Sequence, residues 1–428
     1  MEEEEEAAIV VQDEASSQTY QQPKVNLDSK PSVLTSLPAE TGERSDNFWR
    51  NAKWAPDGSC ILTHEEHRLA KIFALPTELV DISTNFSLRQ HLAVPTAPAA
   101  LLGLEWFPFA SLSRPETFCF VRSVRDLPVQ LIDGNTGRVR ASYSIIDHQE
   151  RFVGPNSMTF SPDGMKLYCG FENAIECFDV ANPGATGTRH MLSPSRKAKQ
   201  GQKGLISSIA LSLDNSGLMA AGSFTKSLYL YDASGGEPRL IRSLKSKDPS
   251  HRGAGVTQVN FHPTMPNYVY STSRRMNHIL VWDIRNPSDV MLALPRPGNT
   301  HQRIHFDIDP WGKWLTTGDT NGDVRFYDTH DPDGDMPAAV YHLAEDTVSS
   351  AMLHPLQPLL LTASGSRRFP VASRSASFSD SSSESDSDDS LSSPTGDDIE
   401  TREKQSPTRN TPAVRNTAKS ALSLWSLQ

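Results

Sequence analysis

The chain is 428 residues long with a formal net charge of -10, enough for two or three ordinary domains unless a repeat claims it. Residues 1–40 hold 9 acids and 2 bases, and residues 370–419 hold 9 acids and 6 bases, so these stretches carry -7 and -3, the whole excess. The remainder is near neutral, and the acidic balance therefore excludes no anionic partner.

The opening MEEEEEAA has neither the basic flank nor the apolar run of a signal peptide. The most apolar window, Leu92 to Phe109, is broken by Pro95, Pro98, Glu105 and Pro108, and reads as a loop into a strand, not a membrane span. Cys60, Cys119, Cys169 and Cys177 fall in predicted strands without CxxC spacing, as reduced core thiols of a nuclear or cytosolic protein do.

Residues 1 to about 30 are acidic and Gln-rich with little to bury, and are expected to be a disordered tail. Ser32 to Leu37, SVLTSL, alternates like a strand. The sequence ends at Gln428 just after the strand-like SALSLWSL, leaving the last sheet short of a fourth strand, and SVLTSL is expected to close it.

From Phe48 onward one turn recurs: Trp54-Ala55-Pro56, Trp106-Phe107-Pro108, Phe160-Ser161-Pro162, Leu211-Ser212-Leu213, Phe261-His262-Pro263, Ile308-Asp309-Pro310 and Leu353-His354-Pro355. Two copies continue as Pro56-Asp57-Gly58 and Pro162-Asp163-Gly164, where Pro presets φ and Gly supplies the positive φ of a tight hairpin. Around the fifth copy, VTQVNFH, NYVYSTS and HILVWD read as three successive antiparallel strands. A lone sheet of that size leaves both faces wet, so the repetition must supply its cover.

The third strand of each unit ends on its own signature: Ile132-Asp133, Phe178-Asp179, Tyr231-Asp232, Trp282-Asp283 and Tyr327-Asp328, with Phe73-Ala74 and Trp425-Ser426 as degraded copies. These resemble the dipeptide of the WD-repeat family, although the Gly-His that usually opens such a repeat is absent. The resemblance implies an all-β, seven-bladed WD-repeat β-propeller with four strands per blade. Its blades are expected at 48–94, 101–146, 156–193, 204–245, 255–294, 302–343 and 347–369. The domains are then a tail at 1–30, a propeller at 31–369 plus 420–428, and a disordered insertion at 370–419 in the last blade. The insertion costs about 1 to 2 kcal/mol of loop entropy over a tight turn. Its Ser and Asp clusters suit an acid-directed kinase, or a purely solubilising loop.

No catalytic constellation emerges, and neither a cofactor nor a metal is expected. His64 and His67 beside Glu65 and Glu66 do not converge as ligands on a strand or turn, and His301 with His305 lacks a third ligand. There is no Walker loop, GxSxG elbow or GxGxxG after a strand. The chain is read as a non-enzyme.

Charge sorts by face. In a propeller, loops joining fourth to first strands and loops joining second to third strands share one rim. The three such loops feeding blades four, five and six read SPSRKAKQGQKG, KSKDPSHRGAG and RPGNTHQR. They bring Arg196, Lys197, Lys199, Lys203, Lys245, Lys247, Arg252, Arg296 and Arg303 to one side, and Arg274 and Arg275 join them from blade five. Such a rim attracts phosphate backbones, and Gln202, His301 and Gln302 interleave groups suited to reading exposed bases.

Longer phrases are more specific. NFWRNAKWAPDGSCILT, SMTFSPDGMKLYCGFENAIECFDVANPG, KQGQKGLISSIA and QRIHFDIDPWGKWLTTGDTNGDVRFYD resemble the telomerase Cajal body protein family, over about Phe48 to Phe369. The resemblance implies a nuclear RNA-binding scaffold in the Cajal body; the chain itself is read as a monomer without a membrane. It would recognise the CAB box of small Cajal-body RNAs and of telomerase RNA, with the proteins of those ribonucleoproteins as partners. The alternative is a WD-repeat scaffold that binds peptides, of histone or ligase-adaptor type, at the channel mouth without RNA.

Overall fold

The computed structural model describes residues 8–10, 19–40, 47–76, 87–95, 97–195, 197–198, 200–251, 253–331, 334–367 and 420–428. The stretch 370–419 lies outside the described residues. Apart from a two-stranded pair, Ala8–Val10 with Thr19–Gln21, the strands form seven four-stranded antiparallel sheets, the blades of a β-propeller.

Blade one comprises Trp49–Trp54, Cys60–Glu65, Ala70–Ala74 and Arg89–Val94. Blade two is Leu101–Trp106, Cys119–Val124, Val129–Asp133 and Val139–Tyr143. Blade three is Ser157–Phe160, Lys166–Phe171, Ala174–Asp179 and Thr188–Met191. Blade four is Ile206–Leu211, Leu218–Ser223, Leu228–Asp232 and Arg239–Leu244. Blade five is Val256–Phe261, Tyr268–Ser273, His278–Asp283 and Leu292–Pro295. Blade six is Phe306–Ile308, Trp314–Gly318, Asp323–Asp328 and Ala339–His342. Blade seven joins Val348–Leu353, Leu359–Ser364 and Ala421–Ser426 to Ser32–Pro38, its outer strand.

Second strands such as Cys60–Glu65 and Leu359–Ser364 are buried throughout, because each sheet is covered on both faces by its neighbours. Fourth strands such as Arg239–Leu244 are mostly exposed. Between blades four and five the core is Ala220, Leu228 and Leu230 against Val259, Phe261 and Val269. Each of these leucine, valine and phenylalanine side chains contributes about 1.5–3 kcal/mol on burial. Between blades seven and one, Leu359, Leu361, Leu422 and Leu424 meet Trp49, Ala52 and Ile61, closing the ring.

The chain ahead of the closing strand is also held. Val25 and Leu27 pack on the cluster containing Phe326 and Leu360, and the Asn26 amide donates to the Leu427 carbonyl at 2.8 Å.

The aspartate of each dipeptide has a local purpose. Asp179, Asp232, Asp283 and Asp328 each accept the backbone N–H two residues on, at 2.9 to 3.0 Å, fixing the turn into the fourth strand. In blades five and seven the indoles of Trp282 and Trp425 donate to hydroxyls of the second strand, Ser271 at 2.8 Å and Thr362 at 2.9 Å.

Candidate nucleic-acid interface

In blades four to seven the second-to-third-strand loop is bonded to the loop entering its own blade, which places both kinds on one rim. Phe224 donates to the Leu205 carbonyl at 3.0 Å, Arg274 to Gly255 at 2.9 Å, Thr320 to Pro297 at 3.2 Å and Gly365 to Thr347 at 2.8 Å. Arg275, in the left-handed region at φ 55, donates to Thr300 at 2.9 Å, tying two of the basic loops together.

On this rim Lys197, Arg275 and His301 are exposed, and Lys203, Arg274 and Arg303 are half-buried. Lys245 and Lys247 are exposed, but their loop leans on the flank of blade five, where Ser246 and the Lys247 amide bond Asp289. Arg196, Lys199 and Arg252 lie outside the described residues. The half-buried Gln302 spends an amide hydrogen on the Gly365 carbonyl at 2.8 Å, which pins the loop entering blade six to blade seven.

Two expectations are corrected. Gln202 is fully buried: its amide donates to the Ala221 carbonyl at 2.8 Å, and its oxygen accepts from the Tyr231 hydroxyl at 2.9 Å. Arg296 is 2% exposed and donates to the Ile304 carbonyl at 3.0 Å and the Thr272 hydroxyl at 2.7 Å. Both satisfy backbone groups that would otherwise be orphaned behind the rim, so neither reads a ligand.

The rim's densest charge stands at the channel mouth. The Arg274 guanidinium lies 4.2 Å from the ring centre of Phe224, and Arg303 lies 5.6 Å from the same ring. Burial, with Arg274 and Arg50 as neighbouring cations, lowers Arg303 to about 10. Burial also lowers Arg50, which Glu66 opposes from 3.4 Å and Arg367 and Arg274 reinforce. Arg367 shares that Glu66 carboxylate.

Deeper in, burial pushes His305 down to about 3 and His64 well below the usual range, with Arg303 and Arg50 acting on both, so both rings are neutral. Beyond them Lys53 pairs with Glu105 at 2.5 Å.

Sequence reasoning missed Arg50, Phe224, Glu66 and Arg367. Arg50 carried a signal. It occupies the bulge that opens a first strand, where blades four, five and seven place Ser207, Thr257 and Ser349. Those hydroxyls bond backbone carbonyls inside the ring, and an arginine is the wrong residue for that task. Among the described residues no group of three His, Cys, Asp or Glu side chains gathers as a metal site.

No family model matches the chain. It is 34% identical over 356 residues to telomerase Cajal body protein 1 of Mesocricetus auratus, covering 82% of this chain and 64% of that protein. The Homo sapiens protein of the same name is 34% identical over 350 residues, covering 81% and 62%. In both cases the match spans less than two thirds of the relative's own length. Guanine nucleotide-binding protein negative regulator 1 of Schizosaccharomyces pombe is 31% identical over 301 residues, covering 68% of this chain and 73% of that protein. With seven blades and third strands that end on the WD-like signature, the chain belongs to the telomerase Cajal body protein family of WD-repeat propellers.

Proposed function

We propose that this chain is a nuclear RNA-binding scaffold without catalysis of its own. It recognises the CAB box in small Cajal-body RNAs and in telomerase RNA, and directs those ribonucleoproteins to Cajal bodies. The observation that carries the reading is the arc of cations on one rim: Lys197, Lys203, Arg274, Arg275 and Arg303 from the neighbouring blades four, five and six. The relatives' names supply the nuclear body and the telomerase connection.

An unpaired RNA loop offers phosphates to these cations and base edges to donors such as His301. Neutralising about 5 phosphates at about -0.7 each predicts a log-log salt slope of roughly -3.5. The test is a filter or anisotropy titration with a hairpin carrying the box. Replacing Arg274, Arg275 and Arg303 together by Glu abolishes binding; unchanged affinity rules the rim out.

A second reading has one observation in its favour: the Schizosaccharomyces pombe relative is named for regulating a guanine nucleotide-binding protein. On that reading the propeller is a protein-interaction scaffold, and its partners stay bound to the purified chain after RNase treatment.

A further inference from the structure

The channel mouth holds more charge than a solvated rim needs. Arg274 of blade five and Arg303 ahead of blade six share the Phe224 ring, Arg50 of blade one and Arg367 of blade seven share Glu66, and charge coupling of Arg50 with Arg274 and Arg303 links the two pairs. Glu66 is the carboxylate paired with Arg50 and Arg367. Among the described residues four arginines stand against one acid, in a place where burial already lowers Arg50, Arg274 and Arg303.

Like charges brought together out of water are unfavourable unless something compensates them. The Phe224 ring does so in part, because its electron-rich face takes Arg274 and Arg303 together. Yet guanidinium hydrogens of Arg274 and Arg303 remain uncommitted. Among the described residues the Arg303 side chain forms neither a hydrogen bond nor an ion pair, and the buried Nε of Arg274 has no partner. Below them the Nε2 of His64, a residue 8% exposed and coupled to Arg50 and Arg303, is likewise unpartnered.

Unused donors, excess charge and low exposure in one place describe a preformed anion site. The shape of the cluster narrows the class. A planar carboxylate is satisfied by one or two guanidinium forks, whereas a phosphate group offers acceptors in three dimensions and carries up to two charges. Cations arriving from four separate blades fit the second.

We propose that Arg50, Arg274, Arg303 and Arg367 at the channel mouth form a binding site for a single phosphate group. The inference rests on the RNA reading only for the source of that group, which is either a backbone phosphate of the bound strand or a separate phosphomonoester or polyphosphate. Phe224 holds two of the arginines in place without neutralising them, and His64 supplies a neutral donor from beneath.

The probe is inorganic pyrophosphate, added to the full chain in chloride buffer at matched ionic strength and followed by thermal unfolding. Wild type shows a saturable rise in Tm. Arg303→Gln weakens the apparent affinity about tenfold or more. Lys313→Gln, an exposed residue at the first turn of blade six on the opposite rim, leaves the response intact. Arg50→Gln provides a second variant if Arg303→Gln does not fold.

No rise in wild type, an equal rise in a folded Arg303→Gln or Arg50→Gln, or an equal rise with acetate overturns the site. Displacement of the box hairpin by pyrophosphate assigns the phosphate to the RNA strand. A pyrophosphate response that coexists with undisplaced hairpin assigns it to a separate phosphate compound. A response from a protein that binds no hairpin upholds the site while removing the RNA reading.

Discussion

The His354 Nε2 of the last blade lies 3.1 Å from the carbonyl oxygen of Gly58 in the first. The other ring nitrogen accepts the Leu356 amide at 3.0 Å, so Nε2 must carry the proton and donate it across the ring closure. Blade five repeats the device. His262 accepts the Met265 amide at Nδ1, at 2.9 Å, and reaches the Gly312 carbonyl of blade six with Nε2, also at 2.9 Å. The large-spacer-Pro turn therefore joins neighbouring blades where its middle residue is histidine.

Replacing His354 by Ala leaves a buried carbonyl without its donor and opens a cavity beside Trp54, whose ring centre is 4.7 Å from the imidazole. A loss of about 2–3 kcal/mol is expected in urea unfolding. Gly58→Ala is destabilising for two reasons: φ there is +77, and a Cβ would stand 2.3 Å from the His354 Nε2. The double variant loses less than the sum of the two, because removing the imidazole removes the collision. Strict additivity would show that residues 58 and 354 do not communicate.

Burial lowers both His262 and His354 to about 4 from an ordinary 6.5. The folded state prefers the neutral rings, so the unfolded chain binds more protons between those values, and stability is lost as pH falls from 6.5 to 4. Each histidine changes stability by about 1.4 kcal/mol per pH unit across most of that window. Two acids have the opposite slope: burial raises Asp307 to about 7 and Asp309 to about 6. The informative measurement is the stability of wild type minus that of His354→Gln, which narrows as pH falls from 6.5 to 4. A difference that stays constant with pH contradicts a neutral buried His354.

Asp307 is held back mainly by desolvation, with Asp309 as a like charge and Lys53 opposing. Its charged form is disfavoured in the folded state, so its cost to stability grows as pH rises from the unfolded value of 3.8 to about 7. Asp307→Asn is expected to raise stability at pH 8 by about 1 kcal/mol or more and to change it little at pH 3.5, where the carboxyl is neutral in both states. Chemical denaturation at the two pH values checks the prediction.

Leu34 is the inward residue of the closing strand, 6% exposed and packed in the cluster shared by blades seven and one. Leu34→Ala should cost about 2–4 kcal/mol. Deleting residues 1–38 leaves Ala421–Ser426 as a bare sheet edge, and light scattering should report more association than the full chain gives at the same concentration.

Blade number and the ends of third strands were legible because they depend on chemistry within a few residues. An aspartate two positions before an amide, as at Asp283 and Arg285, makes its turn wherever the chain goes. The inter-blade faces could be read too where a second strand is apolar or small throughout, as Leu359–Ser364 is. Charge in the loops was visible only as composition. Gln202 and Arg303 belong to similar polar connectors, but one is sealed behind the rim by Ala221 and Tyr231 while the other stacks on Phe224 at the mouth.

The amino-acid order therefore settled the architecture by itself, through short-range turn geometry repeated seven times. The tertiary structure decided which polar side chains face outward and which arginines meet. Arg50 and Arg367 stand more than 300 positions apart along the chain and share Glu66 only because the ring closes. Burial and charge coupling are properties of neighbours in space, and a closed ring makes neighbours of its most distant residues.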